Sequence, residues 1–201
     1  MDCTNRVTLS GSVKGELTYS HSVYSEAFYT CFLQVPRLSG TLDVLPLTVS
    51  ERLLTNAVIA DGTVITVSGQ LRSYNKFIKG ASRLILTVFV QEIAFGGEPV
   101  NTIALTGYLC KPTTYRVTPF SREITDLLLA VNRAYNKSDY IPAIAWGRNA
   151  RFAGTLNVGD CIAVTGRVQS REYKKQLPEG GEEIRTAYEV SIATLELIKP
   201  P

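Results

Sequence analysis

The chain has 201 residues, 45% hydrophobic and 19% charged, with 21 Lys+Arg against 18 Asp+Glu and a formal charge of +3. That is the composition of a soluble globular protein and not of a disordered or fibrous one. Its longest apolar runs, Leu127 to Val131 and Ile141 to Trp146, fall far short of the roughly 20 residues that span a bilayer, and the opening MDCTNRV has no signal-like apolar core. The expectation is a cytoplasmic chain that does not enter a membrane. One histidine, His21, and four widely spaced cysteines, Cys3, Cys31, Cys110 and Cys161, with no CxxC or HExxH, exclude clustered zinc sites and most His-dependent catalysis. The cysteines read as reduced, buried thiols, and no metal or cofactor is expected.

Along the chain the same layout occurs twice, about 96 residues apart. Asn5-Arg-Val-Thr-Leu9-Ser-Gly11 opens the first copy as an alternating strand. Tyr19, Tyr24, Phe28 and Tyr29 fall in or near its first loop, and DVLPLTVS, with Pro46, is its third strand. Glu51 to Asn56 is its short helical link. Gly62-Thr-Val-Ile-Thr-Val-Ser-Gly69-Gln-Leu-Arg-Ser73 follows as a strand, and the turn-forming Gly96-Gly97-Glu98-Pro99 closes the copy. The second copy opens with Asn101-Thr-Ile-Ala-Leu105-Thr-Gly107, continues through Leu127, Leu129 and Val131, and repeats the in-strand proline as Pro142 in DYIPAIAW. Arg148 to Ala153 is its helix. Gly159-Asp-Cys-Ile-Ala-Val-Thr-Gly166-Arg-Val-Gln-Ser170 then matches the segment from Gly62 at five of twelve positions, a hairpin tip covers Leu177 to Glu183, and Tyr188, Val190 and Ile192 share one face of the last strand.

A repeat this long means two like domains, 1–96 and 101–201. Five strands with one helical link between the third and fourth describe an OB-fold, a small, partly open Greek-key barrel, so the predicted class is all-β with two tandem OB-folds. Pro46 and Pro142 suit a third strand with one poorly paired edge.

An OB barrel offers a ligand the outer face of strands two and three and the adjoining loops. In the second copy Tyr140, Pro142, Ile144 and Trp146 fall on one side of strand three, about 20 Å from end to end. Arg167, Gln169 and Arg171 share the outer face of strand four, which runs into Tyr173-Lys174-Lys175. Rings flanked by cations suit unpaired nucleic acid, because bases stack on aromatic faces while Lys and Arg follow the phosphates. The same residues also suit a small barrel's own core and solvated surface. Charge separates the copies: residues 1–100 hold 8 of the basic and 8 of the acidic side chains, leaving 13 and 10 in the second half.

RAYNKSDYIPAIAWGRNARF, LNVGD and VTGRVQSREY together resemble the DNA-binding domain of bacterial single-stranded DNA-binding proteins, over about 95 residues of the second copy. The resemblance implies base stacking on Tyr135, Tyr140, Trp146 and Tyr173. Arg133, Lys137, Arg148, Arg167, Arg171, Lys174 and Lys175 would engage the backbone. In the first copy the matching positions are Ser39, Val44 and Ser50, with only Tyr74 for Tyr173 and Arg37 for Arg133. That copy reads as a degenerate domain, weakly binding or used for assembly. The family commonly ends in an acidic tail that recruits other proteins. Here the sequence stops at Lys199-Pro200-Pro201, and that route is expected to be missing.

The function implied is sequence-nonspecific single-stranded DNA binding in replication, recombination or repair, by a homodimer carrying four OB domains in total, since the family usually assembles four. RNA stays open as a partner, because no motif reads the 2′-hydroxyl. The rival reading is a protein-interaction adaptor, a primosome or recombination accessory factor with weak nucleic-acid affinity. No acid/base pair or nucleophile constellation marks an enzyme.

Overall fold

The computed structural model describes residues 4–54, 59–78, 80–176 and 180–198. In the first half β1 (Asn5–Val23), β2 (Glu26–Pro36), β3 (Leu42–Ser50), β4 (Val64–Ile78) and β5 (Ala81–Phe95) form a closed ring. The strands pair antiparallel from β4 through β1 and β2 to β3. A short parallel ladder, Leu47 with Val88 and Thr48 with Phe89, joins β3 to β5, and β5 pairs back with β4. The second half repeats this with β6 (Val100–Leu109), β7 (Thr114–Val117), β8 (Glu123–Arg133), β9 (Lys137–Trp146), β10 (Cys161–Gln176) and β11 (Glu182–Ile198). Here β7 lies outside the ring, on the edge of β8, and the parallel contact joins Ala143 to Val190 and Ile144 to Ser191. These are two tandem OB barrels. Each in-strand proline sits just ahead of its parallel ladder, at residues 46 and 142, where no partner on that side needs its missing N–H.

The alternation read in the sequence becomes an apolar filling in each barrel. Val7, Leu9, Leu45, Leu47, Val67 and Val88 are buried in the first, and Ile103, Leu105, Leu129, Ile141, Ile162 and Val190 in the second. Four glycines of the repeat mark where the strands crowd. A Cβ on Gly11, Gly69 or Gly166 would stand 2.1 Å from the carbonyl oxygen of Gln34, Phe89 or Ser191, and one on Gly107 would stand 2.8 Å from that of Ala130. Bulges interrupt the ladders at Ser68/Gly69 and Thr165/Gly166. Gly166→Ala must therefore push backbone apart, and should cost about 2 kcal/mol or more. Urea unfolding of the variant measures this, and an unchanged midpoint would refute it.

The helical links differ between the copies. In the second, α1 (Gly147–Ala153) is a true helix with Ala150 and Ala153 buried. In the first, the described residues show a 3-10 turn, Glu51–Leu53, after the N-cap Ser50, and residues 55 and 56 of the expected link lie outside the described residues. The first loop of the first copy is also shorter than expected. The β1–β2 ladder runs to Val23 and Glu26, so Tyr19, Phe28 and Tyr29 are strand residues and only Tyr24 and Ser25, both at positive φ, make the turn. Such a two-residue turn matches the twist of the flanking strands.

Cys31 is buried, which pushes its thiol up to about 11, and Cys110 and Cys161 are half-buried and free. Cys3 and Lys199-Pro200-Pro201 lie outside the described residues. No helix among the described residues is long and apolar enough to cross a membrane.

The two barrels share one sheet. β1 pairs antiparallel with β6, Val7 opposite Ile103, with Asn5 opposite Leu105 and Leu9 opposite Asn101. Shifting each residue by 96 turns the last two pairs into each other, so the junction has an approximate two-fold axis at Val7 and Ile103. Side chains obey the same symmetry. Asn5 and Asn101 each clasp the backbone of their own fourth strand, Asn5 through both polar atoms to Leu71 and Asn101 likewise to Val168, at 2.7–3.0 Å. Across the axis, Asp43 accepts the Ser170 N–H and Asp139 accepts the Ser73 N–H, both at 2.8 Å. Ser170 Oγ and Ser73 Oγ in turn accept the N–H groups of Val44 and Tyr140, at 3.0 and 2.7 Å. Each copy's third strand is thus bonded to the other copy's fourth.

Candidate nucleic-acid interface

On β9 the buried face carries Asp139, Ile141, Ala143 and Ala145, and the opposite face carries Tyr140, Pro142, Ile144 and Trp146. The ring stripe expected there is interrupted. Tyr140 and Trp146 are 44% and 38% exposed, whereas Ile144 between them is only 5% exposed. Trp146 Nε1 donates to Ser191 Oγ at 3.2 Å, which fixes the indole over β11. Gly147 follows at φ +54, a left-handed turn that starts α1 directly after the ring, and this explains the aromatic-glycine-basic order of the motif. Arg148 projects, exposed, from the first turn of that helix.

The remaining candidates divide into three groups. On the tip of the β8–β9 hairpin, Tyr135 is 93% exposed at φ +63, a conformation an aromatic residue rarely adopts, with exposed Lys137 beside it. On the β10–β11 hairpin, Tyr173 lies 5.8 Å from the Arg171 guanidinium, Lys174 pairs with Glu182 at 2.8 Å, and Lys175 is exposed. Arg133 and Arg37 belong to the junction. Arg37 donates to both oxygens of the buried Asp43 at 2.8 and 2.5 Å, and its pKa is raised, first by that hydrogen bond. Arg133 stands 3.6 Å from the buried Asp139. Tyr74, half exposed on β4, directly follows Ser73 of the same junction.

A groove of about 1160 Å³ runs along the outer face of the second barrel. It brings Trp146 together with Arg167 and Arg171. Arg6 and Arg37 enter it from the first copy, and Arg116 and Arg122 from the segment around β7. Six arginines thus face one carboxylate, Glu189, which is itself held by Gln169 at 2.8 Å and Arg171 at 3.7 Å. Arg116 leans on Asp126 at 2.9 Å, an exposed pair of small energetic weight. Arg6, Arg116 and Arg122 were not legible as site residues. Arg6 becomes part of the groove only because β1 pairs with β6, where it lies opposite Ala104. Tyr135, Tyr140, Tyr173, Lys137, Arg148, Lys174 and Lys175 lie outside the groove walls, on the hairpins and the helix around it.

In the first copy the equivalent face is filled from within. Ser50 takes the place of Trp146, and Phe89 takes that of Ser191. His21 stacks on Phe28 at 5.2 Å, Phe28 meets Phe89 at 5.8 Å, and the Arg72 guanidinium caps Phe89 at 3.8 Å. Phe28, opposite Ser50 in the ladder, is 8% exposed.

Two closed five-stranded barrels joined into one sheet, one carrying a groove of rings and arginines, define a tandem OB-fold protein. The crystal structure of wild-type single-stranded DNA binding protein from Thermus aquaticus superimposes with a TM-score of 0.76 at 21% identity, covering 100% of this chain and 96% of that one, a likeness of fold. Residues 100–198, the second barrel, match the Single-strand binding protein family. Among curated relatives, single-stranded DNA-binding protein 3 of Streptococcus agalactiae serotype V is 31% identical over 84 residues, covering 38% of this chain and 61% of that protein. Single-stranded DNA-binding protein 1 of Streptococcus pyogenes serotype M18 is 32% identical over 84 residues, covering 38% and 65%. The chain spans less than two thirds of the length of these relatives.

Proposed function

We propose that the chain binds single-stranded DNA without sequence preference and serves replication, recombination or repair, with the second barrel as the binding domain. The observation that carries this reading is the groove in which Trp146 shares walls with six arginines and one carboxylate. Bases stack on the indole, and the arginines follow the phosphates, an arrangement indifferent to base identity because every base has a π-face. Tyr140 and Tyr135 extend the stacking path along β9 to its hairpin, and Tyr173 extends it along β10. Lys137, Arg148, Lys174 and Lys175 supply charge at the rim.

The first domain, 1–96, has a different role in this reading. Its column of His21, Phe28, Phe89 and Arg72 occupies the face on which a base would stack, so it acts as a wall and assembly unit, lending Arg6 and Arg37 to its neighbour. Two such chains form a homodimer with four barrels. The free thiols of Cys31, Cys110 and Cys161 suit a reducing cytoplasm. The rings have no chemistry to perform, and the protein works without a cofactor.

Trp146 is the sole tryptophan, so its fluorescence reports directly on the groove. Titration with oligo-dT should quench it. The logarithm of the binding constant should fall linearly with the logarithm of salt concentration, at a slope of about −0.7 for each phosphate neutralised. Binding that is insensitive to salt, or absent at low salt, would turn the reading toward a protein-interaction adaptor. Oligo-U of equal length tests RNA, and sedimentation equilibrium tests the dimer.

A further inference from the structure

A second cleft, of about 480 Å³, opens where β4 of the first barrel meets the β8–β9 hairpin of the second. It has room for far more than a water, whose share of liquid volume is roughly 30 Å³. Two guanidinium groups face it. Arg72 sits over the Phe89 ring, 3.8 Å from its centroid, and donates through Nη2 to Gln70 Oε1 at 3.0 Å, while its Nε is shut from solvent with no protein acceptor. Arg133 forms the other wall, 3.6 Å from Asp139. Asp139 is the one carboxylate lining the cleft among the described residues, and its Oδ1 is already committed to the Ser73 N–H. The rest of the lining is neutral, chiefly the amides of Gln70, Gln91 and Asn132. Two positive charges therefore share one negative charge. Burial lowers the pKa of Arg72, repulsion from Arg133 lowers it further, and attraction to Asp139 opposes both.

The other half of the molecule removes this imbalance. Gln70 and Arg72 correspond to Arg167 and Gln169, so the arginine moves by two positions, while Arg37, which matches Arg133, is doubly bonded to Asp43 and Glu189 adds a second carboxylate bound by Gln169. A pair of planar guanidinium groups lining one open cleft together with side-chain amides fits a tetrahedral oxyanion, which offers several oxygens to both forks at once.

We propose that this cleft is a phosphate-binding site in which Arg72 and Arg133 hold the oxygens of one phosphate group. Its source is a phosphodiester of the bound strand, which leaves the main groove and crosses the junction, or free phosphate. The first source rests on the single-stranded DNA reading above; the site itself does not.

The test uses the full chain and the variant Arg72→Gln, which installs the residue the other copy carries at the matching place. Thermal unfolding is followed in sodium phosphate and in sodium chloride at equal ionic strength. Phosphate should raise the wild-type midpoint in a saturable way and should leave Arg72→Gln unmoved, with Arg72→Lys in between. Phosphate also stabilises proteins generally by exclusion from their surface. An equal shift in wild type and Arg72→Gln would therefore overturn the site. A second arm measures oligo-dT affinity. If the ligand is the strand, Arg72→Gln should weaken a 30-mer by about tenfold, the scale of one charged hydrogen-bonded contact, and leave an 8-mer unchanged. If the ligand is free phosphate, both oligomers bind the variant as they bind the wild type while the thermal difference persists. Failure of oligo-dT to bind the wild type would end the DNA reading, and the thermal arm would still decide the site.

Discussion

Asp43→Ala is expected to cost the folded chain about 3 kcal/mol, and Asp139→Ala less, about 2 kcal/mol. Asp43 is fully buried and serves both Arg37 nitrogens and the Ser170 N–H, so alanine strands a guanidinium that is only 25% exposed together with a backbone donor. Asp139 makes the matching bond to Ser73, but Arg133 stands farther off at 3.6 Å and has less to lose. Asp43→Asn keeps an acceptor for Ser170 while removing the charge, and should fall between wild type and alanine. Urea unfolding followed by both far-UV circular dichroism and Trp146 fluorescence gives the ranking. A loss under 1 kcal/mol for Asp43→Ala, or a larger loss for Asp139→Ala, would mean that the junction is held by the β1–β6 ladder alone.

Trp146→Ala should lower affinity for oligo-dT by about 10- to 100-fold, the equivalent of 1–3 kcal/mol for one lost stacking platform. The indole is positioned before any ligand arrives, by the bond to Ser191 and by the turn at Gly147, so little ordering cost offsets the stacking. Trp146→Phe should recover most of the binding, and Ser191→Ala should lose only a small part. Tryptophan fluorescence disappears with the ring, so the measurement is anisotropy of a labelled oligonucleotide. Equal affinity in wild type and Trp146→Ala, with unfolding midpoints alike, would remove the indole from the interface.

The fold was legible because both signals behind it are local. Alternation within strands and a 96-residue offset between Asn5 and Asn101, or Pro46 and Pro142, need no knowledge of the third dimension. Trp146 was legible for a similar reason, since its motif is contiguous. The Asp43–Ser170 and Asp139–Ser73 bonds join residues 127 and 66 positions apart, and nothing local marks an aspartate as a partner of a distant backbone amide. The groove wall made by Arg6 depends on the pairing of β1 with β6, which strand patterns do not specify. The first copy reads as a domain that has lost its rings. In three dimensions it holds aromatic residues on that face after all, supplied by β1, β2 and β5 in place of β3, and turned toward one another.

The symmetric register of β1 and β6 makes the two halves resemble partners of a dimer tied into one polypeptide. In a dimer of identical chains every substitution appears on both sides of the axis, so a change that suits one face is imposed on the other. Here each position exists once per axis. Phe28 and Phe89 can fill the face beside Ser50 in one barrel while Trp146 stands exposed in the other, and the arginine that is Arg72 in one cleft can sit two positions away, as Arg167, in its mirror image. Tethering thus permits a division of labour between twins that separate, identical subunits could not sustain.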